Sequence, residues 1–214
     1  MADEKKKLRA ILKESRGALP AGRTASMSAR VQSALLQTSF YRDCRTVVLY
    51  AAVDGEVATD LILRDALVSG RKVCFARLEV CAPDSPRRSI ALVAIRDASD
   101  LKPGSFGIPE PAGGLVVAAG LLNSAIVCVP GLAFTPAGAR MGRGGGHYDR
   151  LLAELGPEAI SVGLAYSFQV LDSIPETASD RRLHYVVTES AVHQSAAARK
   201  SPGGGHTEEV HPSV

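Results

Sequence analysis

The sequence of 214 residues predicts an α/β fold with a mostly parallel sheet. Short apolar runs rich in β-branched residues alternate with helical patterns, and glycine or proline separates them. The apolar fraction of 46% is that of an ordinary globular protein. Strands that are apolar on both faces are typical of a parallel sheet that helices cover on both sides.

The chain begins with two predicted helices. Leu8, Ile11 and Leu12 recur at helical spacing within a lysine-rich segment, which predicts an amphipathic helix that ends near Gly17. A second helix is expected from about Thr24. Both precede the first buried strand.

Six apolar runs then predict strands. In chain order they cover residues 46–52, 72–78, 89–95, 124–130, 159–166 and 183–189. A helix capped by Thr59 and closed by Gly70 follows the first strand, and a helix over "YDRLLAEL" follows the fourth. The domain is expected to cover residues 1–190. Residues 191–214 lack apolar periodicity and predict a disordered tail.

Composition excludes several classes of protein. The net charge of +3 and the absence of Trp argue against nucleic-acid binding, and no apolar run is long enough to span a membrane. The N-terminus lacks the apolar core of a secretory signal. Four cysteines form no CxxC pair, and Cys74 and Cys128 lie in apolar runs that predict buried thiols. We therefore expect a cytoplasmic protein.

The stretch "GARMGRGGGHYDRLL" (138–152) is the first candidate for function. Glycine lets backbone amides approach a ligand closely, and arginine donates two parallel hydrogen bonds to a phosphate or carboxylate. Three consecutive glycines with Arg140, Arg143 and Arg150 around them therefore predict an anion site.

The stretch matches neither common nucleotide motif. A dinucleotide fingerprint beginning at Gly142 would require glycine where His147 stands, and the region has no Gly-Lys pair for a P-loop. The loop still connects a buried strand to a helix, whose first amides attract anions. Asp149 falls in the first turn of this helix, where the helix dipole favours a carboxylate. The same carboxylate could equally hold Mg²⁺. The alternative is a flexible surface loop with a capping aspartate.

The loop and five further segments resemble 5-formyltetrahydrofolate cyclo-ligases, also called methenyltetrahydrofolate synthetases. The resemblance covers about residues 3 to 190. Its segments are "VPGLAF" with the glycine loop (129–152), "KKKLR" (5–9), "GEVAT" (55–59), "FGIPEP" (106–111), "AYSFQ" (165–169) and "SDRRLHYVVTE" (179–189).

This resemblance implies a Rossmann-like three-layer α/β/α sandwich, of the NagB/RpiA/CoA-transferase-like kind. It also implies closure of 5-formyltetrahydrofolate to 5,10-methenyltetrahydrofolate, with ATP as co-substrate, Mg²⁺ as cofactor, and release of ADP and phosphate. The formyl oxygen would first be phosphorylated, because it is otherwise a poor leaving group. The implied partners are reduced folate and ATP, and we expect a monomer.

The resemblance also implies a nucleotide site, with Arg143 and Arg140 as catalytic residues and Asp149 and Asp180 as metal ligands. The implied nucleotide-binding residues are Lys5, Lys6, Lys7, Leu8, Arg9, Arg140, Met141, Gly142, Arg143, Gly144, Gly145, Gly146, His147 and Tyr148. From local sequence alone, Lys5 and Arg9 share one face of a helix that could be merely solvated, and Asp180 would be a turn residue.

On the folate side, Glu56 is the carboxylate expected to hold the donor edge of the pterin. The implied substrate-binding residues are Tyr50, Ala51, Glu56, Phe106, Gly107, Ile108, Pro109, Gly145, Gly146 and His147. For residues 106–109 a proline and glycine turn with one core aromatic is an equal alternative.

Four positions differ from the usual pattern of the family. Thr135 and His184 stand where aspartate is usual, His147 replaces a tyrosine, and Ala76 replaces the proline before Arg77. Two other functions therefore stay open beside the cyclo-ligase. One is a related α/β enzyme acting on another phosphorylated or acyl substrate, and the other is a non-catalytic nucleotide- or RNA-binding module.

Overall fold

A computed structural model describes residues 2–80, 88–104 and 109–198. Its helices are α1 (Ala2–Gly17), α2 (Ala21–Leu36), α3 (Ser39–Arg42), α4 (Asp60–Val68) and α5 (His147–Glu154). No helix in these ranges is long and apolar enough to cross a membrane. Helix α1 ends at Gly17 as predicted, and α2 begins three residues before the predicted start at Thr24.

Strands in these ranges form one large sheet and two small hairpins. They are β1 (Thr46–Leu49), β2 (Lys72–Val80), β3 (Arg88–Ile95), β4 (Leu101–Pro103), β5 (Pro109–Pro111), β6 (Val116–Val117), β7 (Ala125–Val129), β8 (Ala133–Phe134), β9 (Arg140–Met141), β10 (Ala159–Leu164), β11 (Tyr185–Val187) and β12 (Val192–Gln194). The large sheet has the order β12-β11-β10-β7-β1-β2-β3-β6, and β4–β5 and β8–β9 are the hairpins.

The five strands from β11 to β2 are parallel, which confirms the predicted fold class. The outer pairings are antiparallel: β3 with β2, β6 with β3 and β12 with β11. Only residues 81–87 separate β2 from β3. A parallel crossover needs a dozen residues or more, so this short connection forces β3 to return antiparallel.

Helices cover both faces of the sheet. Val47 and Leu49 of β1 pack in one apolar cluster with side chains of α2 and α4. Val48 between them belongs to the opposite cluster, which includes Leu151 of α5. Alternate residues of one strand thus enter different cores, as in a three-layer sandwich.

The connections reverse direction between β1 and β7. The chain leaves β1 toward β2 on one side and leaves β7 toward β10 on the other, although β1 and β7 are neighbours. In open α/β sheets, ligands bind in the crevice at such a switch point, beyond the carboxyl ends of the strands. The topology therefore places a site beyond Leu49 and Val129.

The ordered fold extends past the predicted boundary at residue 190. Strand β12 (Val192–Gln194) pairs with β11, and Ala198 is buried, so the first eight residues of the predicted tail belong to the domain. A three-residue strand with a polar, half-exposed sequence carries no apolar alternation, which is why the pattern missed it. Residues 199–214 lie outside the described ranges.

The predicted burial of Cys74 and Cys128 is confirmed. Cys74 and Cys128 are buried free thiols in β2 and β7, and Cys44 is buried before β1. Burial raises the pKa of Cys74 to about 11, because the thiolate would be poorly solvated there. These side chains are structural.

A partly buried histidine links β10 to the segment before β11 and makes stability depend on pH. Nδ1 of His184 accepts a hydrogen bond from the Ser161 amide at 3.0 Å and lies 2.8 Å from Oγ of Ser161. Burial lowers the pKa of His184 below 6.5. The unfolded chain therefore binds a proton more readily, so stability present above about pH 6.5 is lost as pH falls toward the folded-state pKa.

We predict that His184→Asn, which keeps an acceptor but does not titrate, loses less stability between pH 7.5 and 5.5 than the natural protein. Urea unfolding of both proteins at the two pH values measures this difference. Equal losses in the two proteins would show that His184 does not contribute.

Candidate active site

A cavity of about 740 Å³ opens at the switch point, in the size range of ligand pockets. Residues that follow β1 and β7 form its floor, and α1, the glycine loop and α5 form its sides. The predicted site residues that line it are Lys5, Arg9, Tyr50, Ala51, Glu56, Pro109, Arg140, Met141, Gly142, Arg143, Gly144, Gly145, Gly146, His147, Tyr148, Asp149 and Asp180.

Three predicted site residues, all on α1, do not line the cavity. Lys6 and Lys7 are exposed, and Leu8 packs against an apolar cluster that includes Leu12. The reason is helical periodicity, since only positions 5 and 9 of this segment face the cavity. Phe106, Gly107 and Ile108 lie outside the described residues.

The glycine loop (142–146) joins β9 to α5. A short hairpin, β8–β9, lies between β7 and this loop, although the sequence predicts that the loop follows β7 directly. Strands of two residues give no periodic signal, so the pattern missed them. Gly146 caps α5 at φ +63°, a left-handed conformation that favours glycine, and offers no side chain to the first helical amides. These amides are suited to an anion.

A buried ion pair lies beside the loop. Nη2 of Arg140 is 3.1 Å from Oδ2 of Asp149, and their side chains are 4% and 19% exposed. Arg140 also donates to the carbonyl of Pro130, while its Nε has no partner among the described residues. The arginine therefore joins β9, the end of β7 and the first turn of α5 through one charged group.

Helix α1 contributes two cations to the same side of the cavity. Lys5 Nζ is 2.9 Å from Oδ2 of Asp180, and Arg9 Nε donates to the carbonyl of Gly142 at 3.0 Å. Burial alone would raise the pKa of Asp180, but the hydrogen bonds from Lys5 and the Thr177 amide outweigh it and lower the pKa. The carboxylate is therefore ionised at neutral pH.

The two carboxylates predicted to bind metal lie near one another. The backbone amide of Arg181, which follows Asp180, donates to Oδ1 of Asp149 at 3.3 Å. Within the described ranges no group of three or more His, Cys, Asp or Glu side chains could hold a metal ion. The protein can thus offer two carboxylates at this place, and any further metal ligands would have to come from substrate or water.

Glu56 is a largely buried carboxylate of the cavity, with 8% of its side chain exposed. Its Oε1 accepts from Arg143 at 3.0 Å, and its Oε2 accepts from the Val53 amide at 3.2 Å. Arg143 also bonds Asp54 at 2.9 Å and is about half exposed. Burial lowers the pKa of Arg143, but Glu56 and Asp54 more than compensate and raise it. Two residues predicted to bind different ligands therefore bond each other here.

Sequence reasoning missed part of the cavity wall. Ala76 and Leu78 of β2, with Ile90 of β3, supply an apolar surface. The signal was present, because alternate residues of a strand share a face, but it does not show that the face opens onto a cavity. Arg181 was missed as well, since it reads as one of several charges in a turn.

The positions that differ from the family pattern fall into two groups. Thr135 and His184 are structural: Thr135 Oγ1 accepts from the Ala139 amide, and His184 bonds Ser161. His147 lines the cavity, where its Nδ1 lies 2.8 Å from Nη2 of Arg150. Arg77 does not line the cavity and instead donates to the carbonyl of Pro111.

Comparison with known proteins decides the family. The model described as the 5-formyltetrahydrofolate cyclo-ligase family matches residues 1–189. The chain belongs to this family. It is therefore an enzyme of the cyclo-ligase type, a ligase of folate one-carbon metabolism, and both the family and its relatives support cyclo-ligase activity.

Individual relatives agree with this family over most of their length. A probable 5-formyltetrahydrofolate cyclo-ligase of Caenorhabditis elegans is 28% identical over 199 residues, which cover 86% of this chain and 92% of the relative. The cyclo-ligase of Mus musculus is 26% identical, covering 87% and 94%. The NMR structure of 5,10-methenyltetrahydrofolate synthetase from Aquifex aeolicus is 28% identical with a TM-score of 0.74, and 97% of each chain is covered.

The two aspartates that bond cavity arginines should differ in their effect on stability. We expect Asp149→Asn to lower the free energy of unfolding by about 2 kcal/mol, because it leaves the buried Arg140 charge uncompensated. Asp54→Asn should cost less than about 1 kcal/mol, because its pair with Arg143 is half exposed. Urea unfolding at pH 7.5 measures both, and equal effects would contradict a structural role for the Arg140–Asp149 pair.

Proposed function

We propose that this protein closes 5-formyltetrahydrofolate to 5,10-methenyltetrahydrofolate in a reaction that consumes ATP and requires Mg²⁺. One observation carries the proposal. A single cavity at the switch point contains both a buried carboxylate, Glu56, and a basic glycine loop with free helical amides. The first group suits the N–H donors of a pterin, and the second suits a triphosphate.

The folate would bind at the ends of β1 and β2. Glu56 would accept hydrogen bonds from the pterin, because its carboxylate is fixed on one side by the Val53 amide. Tyr50 and Ala51 line the cavity beside it, and Leu78 and Ile90 offer an apolar wall for the ring. Burial raises the pKa of Tyr50 well above its usual value, so its phenol stays neutral next to the ligand.

The triphosphate would bind along the glycine loop. Lys5 and Arg9 approach from α1, and Arg140 and Arg143 flank the loop. ATP carries about four negative charges, which this cluster and the amides of α5 would neutralise together. Neutralisation of the phosphate charge is also what transfer of the γ-phosphoryl group requires.

The residues present fit a Mg²⁺ ion bound together with ATP. Magnesium is usually held by one or two carboxylates, with phosphates and water completing its shell. Asp149 and Asp180 provide two carboxylates on the triphosphate side of the cavity. When bound, the ion would neutralise charge on the phosphates. Asp149 and Asp180 would then exchange part of their present pairing with Arg140 and Lys5 for the metal.

The chemistry requires activation of a poor leaving group. In the proposed reaction the formyl oxygen attacks the γ-phosphorus of ATP, and the bond from that phosphorus to the oxygen of ADP breaks. The N10 amine of the folate then attacks the formyl carbon and loses its proton to the departing phosphate as the C–O bond breaks. No side-chain nucleophile is needed, so the protein contributes positioning and charge neutralisation.

Arg143 is the residue proposed to stabilise the transferring phosphoryl group. In this structure it is held by Asp54 and Glu56, and its half-exposed side chain can reorient toward the loop. A pterin that binds Glu56 would displace Arg143, which could then bond the γ-phosphate. Glu56 would thus bond the folate, and Arg143 would bond ATP.

Arg143→Ala should lower kcat/KM for methenyl formation by about 10²- to 10³-fold, as loss of one transition-state donor does. Its free energy of unfolding should change by less than about 1 kcal/mol, because the side chain is half exposed. The assay follows methenyl absorbance with purified protein, 5-formyltetrahydrofolate, ATP and Mg²⁺. Arg64→Ala, an exposed arginine of α4 outside the cavity, is the matched control and should behave as the natural protein does.

A natural protein that folds but gives no ATP-dependent methenyl signal would overturn the proposed function. A large loss of stability in Arg143→Ala would instead show that the glycine loop is a structural element.

Two neighbouring lysines test whether α1 takes part. Lys5→Met should raise the KM for ATP about 10-fold or more, because Lys5 lines the cavity and bonds Asp180. Lys6→Met removes the same charge from an exposed position of the same helix, so we expect less than a twofold change. Steady-state kinetics with varied ATP measures both. Similar effects of the two substitutions would favour a merely solvated basic helix.

We propose a cytoplasmic monomer that acts on small molecules and binds no nucleic acid. The location differs among relatives, since the cyclo-ligase of Arabidopsis thaliana is named mitochondrial.

A further inference from the structure

Arg16, in the last turn of α1, is a nearly fully buried cation. Its side chain is 1% exposed, and Nη1 donates to the carbonyl of Gly131 at 3.2 Å. Nη2 lies 4.0 Å from Oε1 of Glu56. Nε is buried without a hydrogen-bond partner among the described residues. The guanidinium is thus held in place but incompletely bonded.

Such an arrangement is costly for a residue that only packs. A buried guanidinium loses hydration and needs a compensating charge. Burial lowers the pKa of Arg16, and Glu56 is the first opposing charge. Among the described residues, Glu56 is the one carboxylate that lies within 4.0 Å of the Arg16 guanidinium. The pair is therefore the electrostatic reason why Arg16 can be buried at this place.

Glu56 has two cationic neighbours of different character. Arg143 is about half exposed and is also proposed to serve the phosphate, so its bond to Glu56 is exchangeable. Arg16 cannot leave, because its side chain is enclosed and bonded to Gly131. Arg16 also packs next to Gly55, whose φ of +72° shapes the turn that presents Glu56.

We propose that Arg16 is a positioning residue that keeps the Glu56 carboxylate paired with a positive charge and aimed at the folate after Arg143 has moved to the phosphate. This inference rests on the proposed function. Arg16 acts through Glu56 and touches neither substrate. Lys5 and Arg9 lie on the same helix and face the triphosphate, so α1 contacts both halves of the site.

The test compares Arg16→Gln with Arg16→Lys in steady-state kinetics with each substrate varied. Arg16→Gln should raise the KM for 5-formyltetrahydrofolate about 10-fold or more and change the KM for ATP less than twofold. Arg16→Lys keeps the charge and should stay within about fivefold of the natural KM for folate. Equal rises in both KM values, or no rescue by lysine, would show that Arg16 only supports the fold.

A double-variant cycle with Glu56→Gln isolates the pair. If Arg16 acts through Glu56, adding Arg16→Gln to Glu56→Gln should change folate binding less than twofold. An independent further loss of 10-fold overturns the proposal. If Arg16→Gln does not fold, the test rests on Arg16→Lys alone. A folded lysine variant whose KM for folate rises more than fivefold would then contradict the proposal. The natural protein tests the proposed function separately, since it must first show ATP-dependent methenyl formation.

Discussion

Two guanidinium groups, those of Arg16 and Arg140, are buried under the cavity at the switch point, and both need a carboxylate from another element. Glu56 serves Arg16 from the loop after β1, and Asp149 serves Arg140 from the first turn of α5. Because an unpaired buried charge is far more costly than a paired one, these contacts fix where α1, the β1 loop and α5 can lie. The shape of the site follows from that requirement.

The same requirement explains why the charged side chains of the site pair with one another. Arg143 is bonded to Asp54 and Glu56, and Lys5 is bonded to Asp180. A pterin, a triphosphate and a metal ion would each replace one partner in these pairs. In the proposed complex both substrates would exchange partners within these pairs. Asp54, which loses Arg143, is half exposed to water, and this limits the cost of desolvating the site.

Much of this fold was predictable, because buried parallel strands are continuous apolar runs and the residues from 46 to 164 contain several of them. The glycine loop was predictable as part of the site, since a loop between a buried strand and a helix lies beyond the carboxyl end of the sheet, where the cavity is. Its role as an anion site stays a prediction. Edge elements were not, because β12 and the β8–β9 hairpin are too short for periodicity. Lys6 and Lys7 were assigned to the nucleotide from a motif that does not specify a helix face.

Arg16 shows most clearly what a sequence cannot reveal. A basic residue in the last turn of a helix is ordinarily a solvated partner of the helix dipole. Its burial depends on Glu56, forty positions away, and on the carbonyl of Gly131, so only the folded chain brings its role into view.

When both substrates bind, Arg143 is proposed to exchange partners while Arg16 stays with Glu56. A crystal structure with 5-formyltetrahydrofolate, Mg²⁺ and a non-hydrolysable ATP analogue measures this directly. We expect the Arg143 guanidinium within hydrogen-bond distance of the γ-phosphate and away from Glu56, with Glu56 bonded to the pterin and Arg16 still buried beside it. A complex in which Arg143 remains bonded to Asp54 and Glu56 while both ligands are bound would contradict the account.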